Sequence, residues 1–333
     1  MLKILIRLLL IIVILAIALE LTLRIQFGFC SSPLYVADPD YEYIYAPNQN
    51  VTRFGNVIKT NSLSMRNDEL STDSTINILL VGDSVVNGGS LTDQDSIAST
   101  ILEKKLRKNI DDKIRVLNIA AGSWGPDNVA GYLKKHGLFN AKLIFLVTSS
   151  HDAHDIMTGG EGLIGVDPGW PSKQFKLALV ELWVRYRGLI AYSINERLFV
   201  PIENLATKYS LSDKPQPTIV QPDLNSQGIE KEGVIFNPGF AALDSLATAH
   251  GVPFSIYLHP ETSEVAAGKF NQQGMEIIKF CEEHHIKLYN EFDLGVNLSL
   301  FREMDVVHYN NKGQKFLATN IYPIFLDYLN HKN

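Results

Sequence analysis

Two short segments, far apart in the chain, carry the residue types of acyl-transfer chemistry. Near the front, the apolar run Ile76-Asn77-Ile78-Leu79-Leu80-Val81 ends in Gly82-Asp83-Ser84. Near the back, Asp305-Val306-Val307-His308 is followed by Tyr309-Asn310-Asn311-Lys312-Gly313 and an apolar helical pattern. A serine becomes a nucleophile when a neighbouring base takes its proton, and an imidazole is the usual base. A carboxylate beside the imidazole fixes its tautomer and stabilises the imidazolium that forms. Asp305 and His308 stand three residues apart, which on a helical or near-helical turn sets their side chains together. Ser84, His308 and Asp305 are therefore the expected nucleophile, base and orienting acid of a serine hydrolase or acyltransferase. Taken singly, each has a plainer reading: a turn serine that caps a helix, a helix-entry Asp, a surface His. Their conjunction points to chemistry.

The elements that must position these residues are legible as periodicity. Five strands are expected, at 76–82, 114–119, 142–148, 252–258 and 286–290. The first and third are nearly unbroken apolar runs, the mark of strands covered on both faces of a parallel sheet. Between them, residues 95–108 put Ile97, Ile101, Leu102 and Leu106 on one face, and 311–330 repeat the pattern at the end of the chain. The alternation predicts a three-layer α/β/α sandwich around a central parallel five-stranded sheet, a flavodoxin-like arrangement. Ser84 then lies at the carboxyl edge of the sheet, where such folds bind ligands. The long connection at about 156–250 reads as an insertion or lid. It holds an apolar helix candidate, Phe175 to Leu198, and a Pro/Asp/Ser-rich stretch, Ser212 to Asn225.

Residues 1–27 are expected to stand outside the domain. Lys3 and Arg7 precede the run Leu8 to Leu19, an apolar stretch approaching bilayer length. This predicts a single-pass membrane anchor with a cytoplasmic N-terminus and a periplasmic or extracellular catalytic domain. Ala16-Ile17-Ala18 also fits a signal-peptidase site. Residues 28–75 form a lead segment with a hairpin turn expected at Phe54-Gly55-Asn56. The 333 residues carry 30 basic and 36 acidic side chains and a formal net charge of -6, with no basic face, so nucleic acid is not an expected partner. Of the two cysteines, Cys30 is expected to be exposed and Cys281 buried.

Other motifs compete with Ser84. Ala121-Gly122-Ser123-Trp124-Gly125 follows a strand and makes Ser123 a rival nucleophile. Gly160-Glu161-Gly162-Leu163-Ile164-Gly165 matches a dinucleotide fingerprint but lacks its strand-to-helix setting, so a loop is the better reading. His151-Asp152-Ala153-His154-Asp155 contains metal-ligand types, but neighbours on one loop rarely close a site; neither a metal nor a cofactor is expected. Trp124, Trp170 and Tyr309 are either aromatic platforms for a sugar or core residues. His259 and Glu261 follow the fourth strand, and Arg66 is a candidate for an anionic group or an ion pair.

In its ordered blocks Gly82-Asp83-Ser84, Asn118 to Asn128, Ser149 to Asp152 and Asp305-x-x-His308, the chain resembles the SGNH (GDSL-like) hydrolase superfamily over 76–330. The segment Asn61-Ser62-Leu63-Ser64-Met65-Arg66 and the stretch Trp124 to Asn128 make it similar to membrane-anchored bacterial members. The resemblance implies Ser84-His308-Asp305 catalysis and an oxyanion hole from the Ser84 N–H, a second-block N–H (Gly122, the nearest glycine, or Ser123, which one alignment puts there) and a third-block side chain. That third position is normally Asn; here it is His151, whose N–H can also donate. Asp83, Ser123, Trp124, Asp152 and His259 are candidates for substrate contact. The implied activity is an extracytoplasmic esterase acting on O-acetyl esters of carbohydrate. The alternatives are a polysaccharide O-acetyltransferase working with assembly proteins, and a non-catalytic glycan-binding module.

Overall fold

The computed structural model describes residues 2–70, 75–194, 229 and 235–330. Five strands form one parallel sheet: β5 (Ile76–Gly82), β6 (Ile114–Ala120), β7 (Ala141–Ser149), β8 (Phe254–His259) and β9 (Lys287–Asn290), in the order β6-β5-β7-β8-β9. The expected strands are all present within a residue or two. The strand order reverses between β5 and β7, because β6 turns back to the far side of β5. That reversal opens a crevice at the carboxyl ends of β5 and its neighbours.

Strand β5 shows why its sequence lacks alternation. Ile78 and Leu80 pack on one face with Leu102, Leu106, Leu317 and Phe325. Leu79 and Val81 pack on the other with Val129, Leu133, Leu243 and Ile277. The first layer contains α3 (Ala98–Asn109) and α9 (Asn311–Asn330); the second contains α4 (Pro126–His136), α6 (Gly239–Ala249) and α8 (Gln272–Glu283). This is the three-layer α/β/α sandwich. Short helices α2 (Ser84–Asn87) and α7 (Thr262–Ala267) follow β5 and β8. At the end of β5, a Cβ on Gly82 would collide with the Val147 carbonyl and stand 2.9 Å from the Val86 side chain. Gly82→Ala is expected to cost ~1–3 kcal/mol by overpacking, read as a lowered denaturation midpoint.

The lead segment folds onto the second layer. It forms two hairpins, β1 (Tyr35–Asp38) with β2 (Glu42–Tyr45) and β3 (Asn50–Arg53) with β4 (Asn56–Lys59). Phe54 and Gly55 both have positive φ, which gives the two-residue turn the twist a hairpin needs. Tyr41, Tyr43 and Ile44 join the core of the second layer, so this segment is a structural part of the domain. Helix α1 (Leu2–Phe27) is long and apolar enough to cross a membrane, with mean hydropathy 3.0 over an 18-residue window. Its last turns meet α5 (Ala178–Ile194) in the insertion: Glu20 accepts the N–H groups of Ala178 and Leu179 at 2.8 and 2.9 Å. The stretch Ser212 to Asn225 and the end of the Phe175–Leu198 candidate lie outside the described residues. Cys281 is buried; Cys30 is half-buried rather than exposed, because its N–H donates to the buried Glu181 carboxylate at 2.6 Å.

Candidate active site

Ser84 and His308, 224 residues apart, meet at the carboxyl edge of the sheet. His308 Nε2 lies 2.8 Å from Ser84 Oγ. On the other side of the ring, Nδ1 lies 2.9 Å from both oxygens of Asp305. The turn carrying the pair is not helical. Asp305 Oδ1 accepts the N–H groups of Val307 and His308 at 3.0 and 2.9 Å, folding the segment around its own carboxylate. Burial pushes the Asp305 pKa up, but the His308 ring and these N–H groups outweigh it and hold the carboxyl well below the usual carboxylate range. Asp305 is thus an anion wherever the protein is folded near neutral pH. Ser84 is half-buried, and the His308 and Asp305 side chains are 31% and 22% exposed, so the group opens to solvent.

Buried polar contacts fix both halves of the site. Asp83 accepts the Val85 N–H at 2.8 Å and so caps the helix that starts at Ser84. Arg66 is buried and donates to the carbonyls of Asn87, Gly89 and Thr92, which pins the segment after that helix. Its partners among the described residues are backbone carbonyls and the Gln94 amide oxygen rather than an acid; burial lowers its pKa to about 10. Arg302 donates to the Gly88 carbonyl at 2.9 Å, and its N–H to the His308 carbonyl at 3.0 Å, linking one half to the other. Gln314 of α9 donates to the Val85 carbonyl. Asn310 accepts the N–H groups of Lys312 and Gly313 and donates to the carbonyls of Ser299 and Phe301. Asn310→Ala is expected to cost ~1–2 kcal/mol as a lost helix cap, measured by chemical denaturation.

Strands β5 and β6 end in register beside Ser84, and β7 runs two residues further. Gly82 pairs with Ala120 on one side and with Val147 on the other. Ser84, Gly122 and His151 each sit two residues past the ends of β5, β6 and β7. His151 is buried in a nest of acids. Its Nδ1 lies 3.1 Å from Glu261 Oε1 and its Nε2 lies 3.5 Å from Asp152 Oδ1. Asp83, His151 and Asp152 bring ligand atoms within 4.8 Å of one another. Burial opposes a charge on His151, but Asp152, Glu261 and Asp83 outweigh it and push its pKa up to about 9. Burial also raises Asp83, and raises Asp152 to about 7. Each acid has a structural partner as well: Asp152 Oδ2 accepts the Thr148 hydroxyl and the Ser149 N–H. The arrangement is a buried imidazole with three acids around it. His154 points away and pairs with Glu276 at 2.7 Å, so the two histidines of the loop do not converge.

The structure separates the remaining candidates. Ser123 is exposed in a left-handed conformation, beside Tyr43; the described imidazole at a serine hydroxyl is that of His308 at Ser84. Trp124 is a core residue, its Nε1 donating to the Tyr43 carbonyl at 2.7 Å, and presents no face to a ligand. His259 is fully buried with both ring nitrogens occupied, and Tyr309 packs beside it. Asp83 and Asp152 are interior acids. Trp170 is half-buried, with its ring tip 3.6 Å from where a Cβ on Gly122 would lie. The glycine-rich loop cradles a carboxylate of this chain: the N–H groups of Thr158, Gly159 and Gly160 all donate to Glu42 Oε1. Glu291, which anchors His259, went unmarked in the sequence because an isolated acid after a strand carries no signal. A cavity of about 820 Å³ lined by Ile76, Ile114, Ala141 and Val252 opens at the opposite edge of the sheet and holds no triad residue.

No protein-family model matches the chain, and no curated protein matches it. Several solved structures are similar in outline. One is a member of the lipolytic protein G-D-S-L family from Veillonella parvula DSM 2008 (12% identity, TM-score 0.37, covering 76% of this chain and 99% of that one). Another is the lipase/acylhydrolase from Enterococcus faecalis (11% identity, TM-score 0.41, 75% and 95%). A third is the acetyl xylan esterase AlAXEase (11% identity, TM-score 0.40, 75% and 99%). Identities of this size leave the functional reading to the chain's own side chains. The chain has a three-layer α/β/α fold around a five-stranded parallel sheet, and its ordered sequence blocks resemble those of the SGNH (GDSL-like) hydrolases.

Proposed function

We propose that the protein is a serine esterase that works through an acyl-enzyme. The observation that carries this reading is the unbroken relay Ser84 Oγ–His308 Nε2 at 2.8 Å and His308 Nδ1–Asp305 at 2.9 Å. Ser84 Oγ attacks the ester carbonyl carbon while His308 takes its proton. The oxyanion is held by the N–H groups of Ser84 and Gly122, with the His151 imidazolium supplying positive charge at the third strand end. Collapse expels the alcohol, which receives the proton from His308. Water then attacks the acyl group by the same route, and Ser84 is restored.

The substrate in this reading is an O-acetyl ester of a carbohydrate. Trp170, half-buried beside Gly122, supports it as an aromatic face at the acyl site. The apolar α1, with Lys3 and Arg7 at its front, supports a catalytic domain held on the outer side of a membrane. The test is labelling with a fluorophosphonate and mapping of the modified residue, together with turnover of an acetate ester. Labelling at Ser84, lost in Ser84→Ala along with turnover, is the expected result. Label on Ser123, or turnover that survives Ser84→Ala, overturns the proposal.

A further inference from the structure

The peptide unit joining Val307 to His308 is held at both edges. Its N–H donates to Asp305 Oδ1 at 2.9 Å, and its C=O accepts from His259 Nε2 at 2.9 Å. The first bond falls on the same carboxylate that orients the His308 ring. Three successive carbonyls of this turn are engaged. Val306 O accepts the Thr262 N–H and His308 O accepts the Arg302 N–H, both backbone donors. Only the middle carbonyl, that of Val307, is held by a side chain. Among these three contacts, His259 is the one through which sequence can adjust the turn.

The His259 ring is itself immobilised. Its Nδ1 lies 2.6 Å from Glu291 Oε2, and the Tyr257 hydroxyl donates to Glu291 Oε1 at 2.8 Å. Phe301 stacks on the ring at 5.4 Å between centroids, and Tyr309 meets it edge-on at 4.5 Å. A carbonyl can only accept, so Nε2 carries a proton. Burial opposes a charged ring, but Glu291 and the Val307 carbonyl outweigh it and raise the pKa above the ordinary histidine value. The ring therefore donates from a fixed place to a fixed carbonyl.

We propose that His259, braced by Glu291, is a positioning residue of the triad: it sets the tilt of the Val307–His308 peptide and so the placement of the Asp305 carboxylate and the His308 ring against Ser84. This rests on the serine-esterase reading above. Chemistry that depends on a contact of this kind is sensitive to displacement; a shift of about 1 Å can lower turnover by about 10²-fold.

The test compares two double variants, His259→Asn/Glu291→Gln and His259→Gln/Glu291→Gln. The second substitution removes the buried acid that either change at 259 would strand. A glutamine amide reaches the place of Nε2 and keeps the bond to Val307 O; an asparagine amide is one carbon too short. The Asn pair is expected to lose ~10–10²-fold in kcat with KM unchanged, and to shift the downfield proton resonance of His308 Nδ1–H. The Gln pair is expected to keep most of the turnover and the resonance. Equal kcat in the two folded variants, or a loss confined to KM, overturns the inference. Should the Asn pair not fold, the Gln pair carries the test against wild type: a kept kcat and an unmoved His308 resonance support positioning through the Val307 carbonyl, and a lowered kcat or a moved resonance overturns it. If the wild-type protein is not labelled at Ser84, the esterase reading fails, while the resonance comparison still decides the role of His259.

Discussion

Ser84→Ala and His308→Ala are each expected to lower kcat by about 10⁶-fold, and the double variant by no more than either alone. The reason is the geometry of a relay. Ser84 Oγ and His308 Nε2 are 2.8 Å apart, so each residue acts only through the other. Without the imidazole the hydroxyl keeps its proton; without the hydroxyl the imidazole has nothing to activate. Their effects therefore overlap rather than add. Asp305→Asn should fall short of this, at about 10⁴-fold. The amide can still accept the N–H groups of Val307 and His308 through its oxygen, so the turn persists. What it loses is the negative charge beside Nδ1 that stabilises the imidazolium and selects the tautomer with Nε2 free to accept. Steady-state turnover of an acetate ester by the three single variants and the Ser84→Ala/His308→Ala pair measures these ratios. Losses that multiply in the pair would mean that the two residues act separately, and would remove the relay from the mechanism.

What the sequence disclosed and what it hid follow from one physical distinction. Strands β5 and β7 are covered on both faces, so their composition alone announces them. Ser84, Asp305 and His308 stood out in the sequence because few residue types suit acyl-transfer chemistry and a three-residue spacing on a turn is restrictive, and the structure brings them together. Direction is different. A residue past a strand end can face the cleft or the interior, and sequence does not say which. Trp124 and His259 both lie at strand ends and both turn inward, to the Tyr43 carbonyl and the Val307 carbonyl. The partners that decide this are backbone atoms, which leave no trace in residue identity. Arg66 is the same lesson: three carbonyls of the segment after Ser84 take the place of the expected acid. The blocks Asn61 to Arg66 and Trp124 to Asn128 carried the resemblance to membrane-anchored bacterial members. They prove to be joints between the lead segment, α4 and the insertion, with Asp127 accepting the Met157 N–H and the Asn237 amide.

His151→Gln is expected to destabilise the protein by about 3–5 kcal/mol near pH 7, the cost of leaving buried acids without their cation. Glutamine has nearly the size of the ring and keeps an N–H donor, so packing changes little; the charge is what goes. Glu261 at 3.1 Å, Asp152 at 3.5 Å and Asp83 would then share an interior site without the imidazole that now sits between them. The sign of the pH dependence follows from the direction of the shift. The folded pKa of His151 is raised, from 6.5 to about 9. Its contribution is complete below the unfolded value and is lost as pH climbs through the folded one. The gap in melting temperature between wild type and variant should therefore be widest below pH ~6.5, narrow progressively between pH ~6.5 and pH ~9, and be closed above that. A second substitution separates charge from shape. Asp152→Asn removes one of the stranded acids, so His151→Gln/Asp152→Asn should melt above His151→Gln alone, although each single change harms the wild type. Thermal melts of the four proteins from pH 6 to 10 give the answer. A gap that does not vary with pH, or a pair that simply adds its two losses, would show that His151 sits in the nest as a neutral ring, and would take the imidazolium out of the oxyanion site proposed beside Ser84.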